Sequence, residues 1–112
     1  MEQTTDILRR LGITRNYRGA QHLRAAIECV KENEEHLLHI CDLYRLIAFR
    51  AGCSAVSVER SMRTAILRAW DKNRPLLCKI AGYPLTAPPT ISEFIEMVAY
   101  YTQKYELSVV SR

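Results

Sequence analysis

No stretch of this 112-residue chain is apolar over the roughly 20 positions that a bilayer-spanning helix needs. No membrane-spanning helix is therefore expected in these residues. No secretory leader is expected, because Met1 is followed by Glu2, Gln3, Thr4, Thr5 and Asp6 where an apolar h-region would begin. The four cysteines, Cys29, Cys41, Cys53 and Cys78, include no C-x-x-C pair, and no second pair stands at zinc-ligand spacing. Four free thiols in a reducing cytosol are expected. Glycine is scarce, with four residues that fall singly at helix ends, so there is no Gly-rich phosphate loop. No segment suggests an oxyanion hole or a third orienting group beside a Cys–His pair, and an enzyme is not expected. Internal repeats, low-complexity tracts and runs of period-two alternation long enough for a strand are absent as well.

What remains is an ordinary globular composition, 48% hydrophobic and 25% charged, which disfavours disorder. The length suits one domain over residues 1–112. Sixteen basic residues against twelve acidic ones leave a net charge of +4. That excess permits a polyanionic partner without demanding one. The patterning predicts an all-α fold of about six helices. The first covers 4–11 and stops at Gly12. The second covers 20–33, with Leu23, Ala26, Ile27 and Val30 on one buried stripe. Helical segments follow at 34–42 and 43–51, the latter ending at Gly52. The clearest helix covers 55–71, with Ser54 as its N-cap. Segment 75–82 closes at Gly82. Pro84, Pro88 and Pro89 make 83–90 a loop. A last helix, 93–105, is expected with Ser92 as its cap.

Residues 44–70 carry the strongest functional signal. A short helix, a turn of Gly52, Cys53 and Ser54, and a longer helix make a helix-turn-helix. On the second helix Val58, Met62, Ala65, Ile66 and Ala69 share one face by spacing. Ser57, Arg60, Arg63 and Thr64 share the opposite one. A recognition helix needs this division, since its early turns enter the major groove of duplex DNA. Arginine reads guanine through O6 and N7, and Glu59 can accept from cytosine N4 or hold Arg63 one turn on. The plain alternative is the solvated face of an amphipathic helix.

Other constellations point to less. His36 and His39, near Glu32, Glu35 and Cys41, match no named metal motif, and no cofactor is expected. His22 reads as a surface residue. Trp70 reads as a core or interface anchor, and Tyr101 as core. Tyr100 and Tyr105 are partly exposed candidates for self-association. Arg9, Arg10, Arg15 and Arg18 form a basic amino-terminal quarter, either simply solvated or in contact with DNA phosphates.

Taken in order, LGI at 11–13, RGAQHLRAAI at 18–27, SVERSMRTAILRAW at 57–70 and GYPLTAPPTISEFIEMVA at 82–99 resemble the C-terminal effector domain of the sporulation stage-zero response regulator A family. The resemblance runs from about Ile7 to about Ala99. It implies a six-helix, helix-turn-helix protein of the cytoplasm and nucleoid that binds TGTCGAA-like boxes, with head-to-tail self-association on tandem boxes. It implies base contacts by Glu59, Arg60 and Arg63. It also implies that the stretch after Trp70, through Asn73, Arg74 and Lys79, faces the sigma subunit of RNA polymerase. The chain departs from the family pattern where Ser57 replaces arginine, Thr64 replaces histidine and Arg45 replaces proline, and the 73–86 stretch shares little beyond position. The family's phosphoacceptor receiver is not among these residues. Two readings follow: a transcription regulator that reads DNA, and a receiver-less interaction module that partners or antagonises a full-length regulator.

Overall fold

Six α-helices and one 3₁₀ segment carry the chain, with no strand among the described residues. The computed structural model describes the backbone of residues 2–14 and 17–110 and the side chains of residues 3–14 and 17–104. The helices are α1 (Glu2–Arg10), α2 (Arg18–Glu32), α3 (Ile40–Ala51), α4 (Ala55–Lys72), α5 (Arg74–Ala81) and α6 (Ile91–Val110).

Helix α2 is central and packs against α3, α4 and α6, while α1 lies against α2 and α6. Its predicted stripe, Leu23, Ala26, Ile27 and Val30, is buried. It meets Leu43 and Ile47 of α3, the inner face of α4, and Phe94, Ile95 and Val98 of α6 in one core. Burial at roughly 1.5–3 kcal/mol per large aliphatic side chain is the main stabilising term. The crossing of α2 and α4 is unusually close at Gly19. A Cβ there would sit 2.3 Å from the Ser61 carbonyl oxygen and 2.8 Å from Ala65 Cβ. Only glycine lets the two backbones meet at that distance.

Most helix bounds lie within two residues of the sequence reading, α6 runs to Val110 rather than 105, and three further differences have local reasons. The 34–42 segment is not a continuous α-helix. Asn33 is extended and accepts from the Glu35 amide at 3.0 Å, starting a 3₁₀ segment over Glu34–His39 with no buried residue. Leu38 there is 77% exposed, so no apolar stripe holds an α-helical register. Helix α3 then begins at Ile40 rather than at 43. The last helix is capped by Thr90, not Ser92. The Glu93 amide donates to Thr90 Oγ1 at 3.1 Å, and Glu93 Oε1 accepts from the Thr90 amide at 2.9 Å. That reciprocal box needs an acid three residues after the cap; Thr90 has Glu93 there, and Ser92 has Ile95.

Candidate nucleic-acid interface

The turn between α3 and α4 is built from two residues with opposite duties. Gly52 ends α3 in the left-handed region at φ +72, and its amide donates to the Ala48 carbonyl. A Cβ there would meet nothing within 4 Å, so glycine is required by the backbone and not by space. Ser54 is extended, and its Oγ accepts from the Ser57 amide at 3.1 Å, satisfying an orphan donor of α4. The helix-turn-helix predicted at 44–70 is therefore present as α3, the turn 52–54 and α4.

The two faces of α4 separate as the spacing implies. Val58, Met62, Ala65, Ile66 and Ala69 are buried, and Ser57, Arg60, Arg63 and Thr64 are exposed. Glu59 stands at the border of the faces, half-buried, with Arg63 Nη2 donating to its Oε2 at 2.8 Å. Tyr44 of α3 lies within electrostatic reach of both. Burial first, then the Glu59 carboxylate, raises its phenol above the ordinary value, so it stays neutral. Sequence reasoning passed over two apolar members of the outward face, Val56 and Leu67. They fall four before and seven after Arg60, so the helical period already held that signal.

His22 is the clearest correction. Expected on the surface, it is buried, and its Nδ1 lies 2.7 Å from Ser61 Oγ. Ser61 Oγ donates its hydrogen to the Val58 carbonyl at 3.0 Å, so it must accept from His22, which puts the ring proton on Nδ1. Burial and then the Arg18 charge lower the His22 pKa. The α2 stripe extended back by one turn passes through Gly19 and His22, so this burial was also legible in the period.

The basic amino-terminal quarter divides in space. Arg15 lies outside the described residues. Arg9 is 3.8 Å from Asp6 in an exposed ion pair. The end of α1 is tied to the far end of α4, since Asn73 Nδ2 donates to the Arg10 carbonyl and Arg68 Nε to the Gly12 carbonyl. That is about 20 Å along the helix axis from Ser57, at roughly 1.5 Å rise per residue. Arg18, by contrast, shares a recess with Arg60 at the start of α4.

Beyond Trp70, the three positions singled out for a sigma contact have different surroundings. Asn73 caps α5 through the Leu76 amide and is half-buried. The Arg74 guanidinium lies 3.9 Å over the Trp70 ring, which is itself half-buried against the core. Lys79 is exposed. Tyr100 is 66% exposed and Tyr101 is partly buried against the core, while the Tyr105 side chain lies outside the described residues. All four cysteines are free thiols. Among the described residues, no three His, Cys, Asp or Glu side chains gather as metal ligands, and no helix is long and apolar enough to cross a membrane.

A buried stripe on α4, a polar and arginine-bearing face opposite it, and a two-residue pivot from α3 are the parts of a helix-turn-helix reader. Residues 4–102 match the family model described as the C-terminal region of sporulation initiation factor Spo0A. The chain belongs to that family, which is one of DNA-binding effector domains rather than enzymes.

Proposed function

We propose that this protein is a sequence-specific transcription regulator that reads TGTCGAA-like boxes with the outward face of α4. The observation that carries the reading is the placement of Arg60 and Arg63 on one exposed face whose opposite face is wholly buried. A helix anchored this way presents the two guanidinium groups at a set angle, and each can fork onto O6 and N7 of a guanine. Glu59 pairs with Arg63 in the free protein. An exposed pair of this kind is worth about 0.2–1 kcal/mol, so a guanine can replace the carboxylate at little cost. Glu59 is then free to accept from a cytosine amine. Ser57 and Thr64 flank the arginines and supply shorter, less selective contacts.

Head-to-tail self-association on tandem boxes, a contact of Asn73, Arg74 and Lys79 with the polymerase sigma subunit, and residence at the nucleoid of the cytoplasm complete the proposal. Of the three sigma positions, Lys79 is the best placed for a partner, since Asn73 and Arg74 are engaged within the fold.

A second reading is an interaction module that keeps the fold without reading DNA. The exposure of Phe49 on α3, at 87%, favours it, because a large ring in water is a common mark of a protein contact. Fluorescence anisotropy separates the two. The protein is titrated into a duplex with two tandem TGTCGAA boxes and into a scrambled duplex, each at low and high salt. The reader binds the boxes more tightly at both salts. Equal binding that vanishes as salt rises would leave only charge attraction and move the assignment to the module.

A further inference from the structure

Beside the reading face lies a recess between the first turn of α2, the 52–54 turn and the start of α4. It is lined by Arg18, Gln21, His22, Ser57, Arg60 and Ser61, together with residues 51–53. Among the described residues no carboxylate lines it, and the first turn of α2 contains no acidic residue. Arg9, Arg45 and Arg63 each have a carboxylate partner, but neither Arg18 nor Arg60 has one among the described residues. Two uncompensated cations beside a polar hollow raise the local concentration of an anion.

His22 adds a built feature. Its Nδ1–H is committed to Ser61, which leaves Nε2 as the open position of the neutral ring. Among the described residues no buried side-chain nitrogen or oxygen lacks a partner. Nε2 has no partner among the described residues and is therefore not fully enclosed. The ring is otherwise buried, and His22 is one of the residues that line the recess.

We propose that this recess holds a backbone phosphate of the bound duplex, gripped by Arg18, Gln21 and the Nε2 edge of His22. The proposal rests on the reading of α4 as the DNA-facing helix, since Ser57 and Arg60 belong to both the recess and that face. A phosphate here would fix the depth and register of α4 in the groove without reading sequence. The charged and titratable groups that line the recess with His22 are Arg18 on its own helix, whose charge acts on the ring, Arg60 on α4 and the Cys53 thiol in the turn. An entering phosphate offsets the two cations and favours the protonated ring, which can then donate from Nε2.

The test compares wild-type protein with Arg18→Ala, and with Arg24→Ala as an exposed control on the same helix outside the recess. Arg18→Ala weakens binding to box and scrambled duplexes by the same factor, roughly tenfold, and lowers the magnitude of the salt slope by about one; Arg24→Ala does neither. Single neutral methylphosphonates are then walked along the box duplex. One position weakens wild-type binding and leaves Arg18→Ala binding unchanged. Wild-type binding also tightens as pH falls from about 7.5 to about 6, and less so in His22→Gln. Box preference without any phosphate position coupled to Arg18 would overturn the recess proposal while leaving the reading of α4 intact. Loss of box preference in the wild-type protein would overturn the reading itself. Inorganic phosphate that moves the His22 ring NMR signals at millimolar concentration, with no coupled position on the duplex, would make the recess a free-phosphate site and end the DNA proposal.

Discussion

At the scale of single residues, the side chains proposed to choose bases are the exposed ones, and their removal should spare the fold. Arg60→Ala and Arg63→Ala are each expected to cost about 1–3 kcal/mol of box binding, with discrimination at one base pair relaxed, while thermal unfolding stays within the small range of surface changes. Binding titrations against single-base variants of the box, with melting curves beside them, check both halves. His22 is a different kind of residue, because its substitution or protonation acts on the position of α4. Its folded pKa is lowered below the ordinary 6.5 by burial and then by Arg18. The unfolded chain therefore binds more protons than the folded one as pH falls through 6.5. The stability this neutral ring contributes is whole above about 6.5 and is lost progressively below it. Urea unfolding at pH 7.5 and 5.5 should show a larger loss for wild type than for His22→Gln. An equal loss in both would remove His22 from the acid sensitivity.

Two glycines decide how the elements meet, and they do so by different physics. Gly19→Ala would push a methyl to 2.3 Å from the Ser61 carbonyl, so α2 and α4 must part. Overpacking against backbone costs about 1–3 kcal/mol or more, and the His22–Ser61 bond should lengthen with the separation. Gly52→Ala meets no atom, and its cost is the left-handed conformation alone, about 1–2 kcal/mol. Gly52→Asn should recover part of that, whereas Gly19→Asn should not. Denaturant midpoints for the four variants provide the comparison. The caps belong to this scale too. Ser54→Ala removes the acceptor for the Ser57 amide and should cost about 1 kcal/mol at the very turn of α4 that carries the proposed reading face. A stability loss without an affinity loss would show that the first turn of α4 is not where DNA is held.

For the molecule as a whole, the mild charge of +4 says less than its arrangement. Arg18 and Arg60, on one side, have no carboxylate partner among the described residues, while Arg9 is paired and Arg10 sits at the far end of α4. Arg9→Ala is therefore expected to change the salt slope of box binding by much less than one, and Arg18→Ala by about one. Salt titrations of the two variants decide it, and equal slopes would mean that DNA spans both ends of α4. Much of this was readable in the residues. The helices, the 44–70 motif and the division of α4 came from apolar period and cap chemistry. The 3₁₀ segment at 34–39 and the Thr90 cap were misread because Leu37, Leu38 and Ser92 satisfy the same local patterns as a true stripe and a true cap.

Local order along each helix was settled by the residues alone, because an i, i+3, i+4 pattern and a capping side chain act within one or two turns. That is why Ser54, Gly52 and the Arg60–Arg63 face could be placed before any coordinate. What required the folded chain are relations between distant segments. These are His22 on Ser61 across 39 residues, Arg68 on Gly12 across 56, and Arg18 beside Arg60 rather than beside Arg9. Such pairings depend on where one helix crosses another. That crossing is set by the packing of the whole core and by the close approach at Gly19, not by any window of sequence.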